Sequence, residues 1–354
     1  LYLTPLPARV SAAILTGKVK HGYVVPAETR RYLWPSVNNN ALWLLAASEL
    51  TRLHNDSRWI TAMAETAANI SRLDRTVAYN PATGLIGGIP RYMVPAEPML
   101  PQWLGPTGFF TSASLTVNTA YAAALRNLSE IAANYSMRNE RLDLPEMGFD
   151  PDSLSRAVHR NLWLPAQGLF GGFLYGGGCN CVQLRSADNI GQALAVISGI
   201  ANPAIRSSIM SRTPVSPSGV ELFAPRTGLL DVRLPQALTV MLRTLWAVAA
   251  SRVPDAAAEY DAATGHLLAS VASCYASDSN PAPSGRPVES LILRGFLGAS
   301  FQPDGTAFAP AIPSSLPGAV IVRNLHIRRA RLNVIVRGTG SNIVACSLDG
   351  APAS

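Results

Sequence analysis

Helical segments joined by alternately short and long connectors constrain this chain more than any other feature. Apolar residues recur at helical spacing in ALWLLAASELTRL (41–53) and SRWITAMAETAANISRL (57–73), and Asn55-Asp56 stands ready to cap the second. So short a connection forces two neighbouring antiparallel helices. A long helix is predicted over 112–138, opened by Ser112 or Ser114. Asp150-Pro151 starts another, with proline at its first position, ending near Trp163. Further helices are expected at 187–201, 203–211, 232–252, 255–276 and 287–297. Between several of them run stiff Gly/Pro-rich loops: 79–108, 164–184, 212–230 and 277–286. Short turns make hairpins, so the long loops collect at the opposite end, where function is commonly carried. The expected architecture is mainly α, an α/α toroid of helical hairpins with its long loops on one rim.

After about residue 311 the pattern changes. AVIVRNLHIRRARLNVIVRG (319–338) alternates apolar and polar residues with β-branched enrichment, and IVACSLDG (343–350) adds a further predicted strand. The expected division is a helical body over 1–310 and a small β-sheet module over 311–354 packed on it. Three strands alone would be marginal.

Composition narrows the function classes. Of 354 residues 48% are hydrophobic and 14% charged, enough apolar material for a sizeable core. The formal net charge is +7, which raises the question of nucleic acid. The cations are nearly all arginines scattered singly; the two lysines are Lys18 and Lys20. The one dense patch, Arg328-Arg329-Ala330-Arg331, lies in a strand-like segment, and no basic stripe with interleaved aromatics occurs. Nucleic acid is therefore not the expected partner. No apolar run is long enough to span a bilayer. The first twenty residues lack a basic n-region and are broken by prolines. Cys179, Cys181, Cys274 and Cys346 have no zinc spacing. Free thiols are expected, with a Cys274–Cys346 bridge as the open alternative. His21, His54, His159, His266 and His326 lack recognisable catalytic partners, and no GxSxG is present. The sequence calls for no metal and no cofactor. GLFGGFLYGGGCNC (168–181), with six glycines, lacks the GKS/T of a phosphate cradle. It reads instead as backbone that approaches a ligand or another loop.

Four stretches in this order resemble one family. They are NPATGLIGGIPRY (80–92), SADNIGQALAVISGIANPAIRSSIMSRTPVSPSGVELFAP (186–225), TLWAVAAS (244–251) and the segment from FQPDG (301) to SLDG (350). Together they are similar to the bacterial six-hairpin glycosidases. That resemblance implies an (α/α)6 barrel with a C-terminal β module, a poly- or oligosaccharide as ligand, and a periplasmic or secreted location over a cytoplasmic one. Matched from Pro90, the family's loop aspartate falls on Val94, its Trp on Pro95 and its Arg on Ala96; Glu97 keeps its type. The family's His-Asn-Asn motif appears as LLDVRLPQ (229–236), and its "LGEA" glutamate as Gln192.

Glycoside hydrolysis needs two carboxyl groups across the scissile bond. Glu97, set among prolines and apolar residues that would raise its pKa, is the candidate proton donor. For the base the candidates are Asp188 and Glu289, with Asp231 behind them; Asp188 and Asp231 also read as helix N-caps. Sugar rings pack on aromatic faces, and Tyr92, Trp103 and Phe109 are the platform candidates, with Phe110, Trp163 and Tyr175 nearby in the loops. Trp246 reads as core. Arg185, Asn189 and Asp231 are the candidates for bonding hydroxyls, and Arg185 also for a uronic carboxylate. The expected activity is acid-assisted, inverting cleavage of glycosidic bonds. The alternative is a catalytically impaired relative that binds glycan or a protein partner, or an assembly subunit.

Overall fold

A computed structural model of the protein describes residues 19–20, 23–24, 37–54, 57–88, 111–137, 149–176, 182–184, 186–224, 236–276, 286–302, 305–316, 318–327 and 330–352. The described residues form nine α-helices: α1 (Val37–His54), α2 (Ser57–Val77), α3 (Leu115–Met137), α4 (Pro151–Leu162), α5 (Asn189–Ile197), α6 (Pro203–Arg212), α7 (Gln236–Ala250), α8 (Ala257–Ala276) and α9 (Arg286–Ser290). A π-helical turn, Leu291–Phe296, continues α9. The mainly α expectation holds, and each predicted helix is present.

Packing orders these helices. α3 lies against α1, α4 and α5; α5 lies against α7; α7 lies against α8, α9 and the π turn. α2 packs on α1. α3 and α7 are apolar round most of their girth, with Leu115, Val117, Ala120, Tyr121, Ala124, Leu125 and Leu128 buried on the first and Val240, Leu242, Leu245, Trp246 and Ala249 on the second. Such helices are stable only when surrounded. α2 and α4 are instead amphipathic: Arg75 and Arg156 face outward while Ile60, Met63, Ala67 and Ile70, or Leu154, Ala157 and Val158, face in.

The π turn reaches back to α1. The Arg294 Nη2 donates to Glu49 Oε2 at 2.8 Å, its Nη1 donates to the Ala299 carbonyl at 2.9 Å, and the guanidinium lies 4.6 Å from the Phe301 ring centroid. Leu50, Leu293, Leu297 and Phe301 form a small apolar cluster beside this pair.

Two of the helices that start later than expected do so for one reason. The residues before them are taken by β pairing: Ala113–Ser114 with Phe173–Leu174, and Ala187–Asp188 with Phe223–Ala224. The loops predicted as irregular contain further short pairs, Tyr79–Asn80 with Leu85–Ile86, Trp163–Leu164 with Leu169–Phe170, and Val215–Ser216 with Gly219–Val220. Pairs of two residues are too brief for a period-2 pattern to show.

The C-terminal alternation is a hairpin, Ala319–Ile327 with Ala330–Arg337, kinked by a register shift after Val322 where Asn324 takes a φ of 58°. Val320, Val322, Leu325, Leu332, Val334 and Val336 face the Leu50–Phe301 cluster. The strand expected over 343–350 is replaced by a two-residue pair, Ser347–Leu348 with Ala351–Pro352, and Val344 is exposed. Cys346 is an exposed free thiol, which removes the Cys274–Cys346 bridge.

The Glu49–Arg294 pair is largely buried, with side-chain exposures of 19% and 15%. Burial by itself would raise the Glu49 pKa; the Arg294 and Arg52 guanidiniums and the Asn127 amide outweigh it and hold the carboxyl below its usual 4.5. Its stabilisation is therefore present above that pH and is lost as pH falls through the lowered value. Glu49→Ala strands a cation, so urea or thermal unfolding is expected to show a loss of about 3 kcal/mol. Glu49→Gln, which keeps the shape, is expected to remove the acid limb of the stability–pH curve.

Candidate functional site

The loops converge where α3 and α5 begin. Gly88 donates to the Ser112 carbonyl at 2.7 Å, Leu115 N–H to the Gly172 carbonyl at 2.9 Å, Gly172 N–H to the Ser186 carbonyl at 2.9 Å, and Asn189 N–H to the Leu222 carbonyl at 3.0 Å. Loop segments 85–88, 111–114, 169–175, 182–184 with 186–188, and 219–224 thus form one hydrogen-bonded collar. The six-glycine run supplies its tightest approach. A Cβ at Gly172 would lie 3.0 Å from the Ser186 carbonyl oxygen and 3.2 Å from the Asp188 Cβ. Of the two uses read for that run, close contact with another loop is the one seen.

Buried amides splice the collar to the helices. The Asn118 Oδ1 accepts from Ile86 N–H at 2.8 Å while its Nδ2 donates to the Ile86 and Ser114 carbonyls, each at 2.9 Å. Gln192 does the same for Phe170: its Nε2 donates to the carbonyl at 2.5 Å and its Oε1 accepts from the N–H at 3.3 Å. Each amide imitates a strand neighbour, satisfying both backbone groups where water is absent. A glutamate at 192, as in the resembling family, could not donate to Phe170 in its ionised form.

Asp188 stands at the centre, fully buried. Its Oδ1 accepts from Ile190 and Gly191 N–H at 3.2 and 3.3 Å, capping α5, and its Oδ2 accepts from the Thr116 hydroxyl at 2.6 Å. Asn189 is also fully buried; its Nδ2 donates to the Glu221 carbonyl at 2.7 Å, and its Oδ1 has no donor. An unmatched buried acceptor costs on the order of 1–3 kcal/mol. Glu289 is exposed on α9. Glu97, Tyr92, Trp103, Phe109, Arg185 and Asp231 lie outside the described residues, as do Val94 and Phe110. Of the described aromatics, Tyr175 is buried and stacked on Phe173 with centroids 5.8 Å apart. Trp163 meets Phe170 edge-on at 5.0 Å, and Trp246 is core, as read. His159 Nε2 lies 2.8 Å from the Ile200 carbonyl oxygen and packs edge-on to Phe170. Among the described residues no His/Cys/Asp/Glu cluster is arranged to hold a metal ion. No helix among them is long and apolar enough to cross a membrane.

One acid escaped the sequence reading. Asp74 is fully buried on α2, held by the Asn40 Nδ2 at 3.0 and 3.1 Å and by the Tyr121 hydroxyl. Its signal was available: Asp74 continues the buried stripe Ile60, Met63, Ala67, Ile70 at helical spacing. Burial, only partly offset by the Asn40 amide, pushes its carboxyl from the usual 3.8 up to about 7.

No family model and no curated protein matches the chain. Among solved structures 29 chains match. A sialidase aligns with 85% of this chain and 30% of its own length at 14% identity, with a TM-score of 0.53. A GH78-family rhamnosidase of Bacillus sp. GL1 aligns with 84% of this chain and 29% of its own at 12% identity, with a TM-score of 0.49. The chain spans about 30% of the length of these proteins. Both neighbours are glycoside hydrolases, and the likeness to the sialidase is one of fold.

Two outcomes test this chemistry. Between pH 4 and 7 folded Asp74 keeps a proton that the unfolded chain has released, so raising pH favours unfolding. Thermal stability is expected to fall across that interval, by on the order of 4 kcal/mol, and Asp74→Asn is expected to flatten the fall. Gln192→Glu is expected to destabilise by about 1–3 kcal/mol at neutral pH, read in urea, because the Phe170 carbonyl loses its buried donor.

Proposed function

We propose that this chain is the helical part of a glycoside hydrolase-like protein: an (α/α)6 toroid over 1–310 with 311–354 as a small β module. It would take a poly- or oligosaccharide at the collar around Asp188, outside the cytoplasm. The observation that carries the reading is the convergence of five loop segments on the starts of α3 and α5. Support for the ring comes from the packing order α1, α3, α5, α7, π turn and back to α1 through Arg294 and Glu49. The fold likeness to a sialidase agrees with it.

In this proposal Glu97 protonates the leaving oxygen, and Asp188 or Glu289 activates water on the opposite face. An inverting pair stands roughly 6.5–9.5 Å apart, with room for that water. Tyr92, Trp103 and Phe109 would stack on sugar rings; Arg185, Asn189 and Asp231 would bond hydroxyls. The donorless Oδ1 of Asn189 suits a sugar hydroxyl.

A second reading, glycan binding without hydrolysis, is favoured by the state of Asp188. Its carboxylate has no exposure and already accepts three hydrogen bonds, which leaves little capacity to activate water.

Release of reducing ends from a panel of polysaccharides and aryl glycosides tests the first reading. Hydrolysis is expected on at least one, with kcat lowered about 10²–10⁴-fold in Glu97→Gln, the usual share of a general acid. Undiminished turnover in that variant removes Glu97 from the mechanism. Affinity electrophoresis on the same polysaccharides separates the second reading: retardation without hydrolysis supports binding, and neither retardation nor hydrolysis overturns both.

A further inference from the structure

Away from the collar, a furrow runs between α7 and α8 beneath the Val215–Val220 hairpin. It consists of two adjoining hollows of about 270 and 390 Å³ that share Arg243 and His266. The smaller is bounded by Trp246 and Glu259; the larger is bounded by Thr239, Ser218, Ser270 and Ser273. Glu259 is the one carboxylate among these lining residues, and it lies in the first turn of α8, on the smaller hollow.

Arg243 is the unusual member. Its Nη1 donates to the Ser270 hydroxyl, which in turn donates to the His266 carbonyl at 2.5 Å. Its Nε is buried with no acceptor, and no carboxylate among the described residues forms an ion pair with it. Burial works against the charge and lowers the guanidinium pKa. A half-buried cation whose partner among the described residues is a single neutral hydroxyl is costly to keep.

The hairpin turn packs closely against it. Gly219 has a φ of +112°, and a Cβ there would lie 3.1 Å from Arg243 Nε and 3.1 Å from the His266 Cβ. Glycine there lets the turn lie directly on the Nε edge of the guanidinium, while Arg243 also lines the larger hollow. A guanidinium edge donates two parallel N–H bonds, a geometry that fits carboxylate and phosphate oxygens.

We propose that the larger hollow binds a small oxyanion, a carboxylate or phosphate group, with Arg243 as its charge partner and the Ser218, Ser270 and Ser273 hydroxyls around it. The inference does not depend on the carbohydrate reading. The anion sits on the hydroxyl side of Arg243, away from Glu259.

Calorimetric titration of the whole chain at low ionic strength tests it, with inorganic phosphate, acetate and glucuronate as separate probes. At least one is expected to bind saturably, with affinity reduced about tenfold or more in Arg243→Gln and less in Arg243→Lys, which keeps the charge and loses the fork. Phosphate binding alone identifies a phosphate ligand; acetate or glucuronate binding alone identifies a carboxylate. No saturable binding of any probe to the wild type overturns the proposal, as does equal binding by a folded Arg243→Gln. Should that variant fail to fold, phenylglyoxal labelling of the wild type decides. Slower modification of the Arg243 peptide in the presence of the anion supports the site, and an unchanged rate overturns it.

Discussion

The start of α3 is buried, and a helix start is the place where backbone donors have no intrahelical acceptor. Water cannot serve them there, so other chain segments must. Leu115 N–H finds the Gly172 carbonyl, Val117 N–H finds the Ser114 hydroxyl at 3.2 Å, and the Thr116 hydroxyl finds Asp188. The first and last of these bonds draw a loop inward. The collar is the solution to that one requirement, and the short β pairs, the glycine approach at 172 and the amides of Asn118 and Gln192 are its parts.

Three carboxyl groups show how position decides what the same chemistry becomes. Glu49 is kept ionised by two guanidiniums and ties α1 to the π turn. Asp74 has amide and hydroxyl partners but no ion pair among the described residues, so burial favours its neutral form. Asp188 takes backbone and hydroxyl donors and serves as a cap. Arg243 is their counterpart in charge, a cation whose acceptor among the described residues is a serine hydroxyl. The furrow around it is where the fold leaves a charged group unspent.

The helices were legible because burial and periodicity coincide over many residues. In α4, Asp150 accepts from Ser153 N–H at 2.8 Å with proline next in line, as the dipeptide implied. The cap reading of Asp188 was legible for the same reason: an acid just ahead of an apolar helical run. Its burial was not legible, because the Thr116 bond spans 72 residues of sequence. Asp74 continues an apolar stripe, but its Tyr121 partner lies on another helix, 47 residues away in sequence. Arg243 gave no sequence signal at all; its place beside a hollow is set by Ser270 on α8 and by the turn at Gly219, both distant in sequence.

By itself the sequence determined the local quantities: which segments are helical, where they are capped, and that residues 319–338 alternate. These follow from bonds and side-chain spacings within a few residues. Tertiary structure alone decided which loops pair with which, that Gln192 serves as a strand neighbour to Phe170, and that the expected third C-terminal strand shrinks to two residues. Such outcomes depend on satisfying buried polar groups from distant segments, and no window of sequence contains both partners.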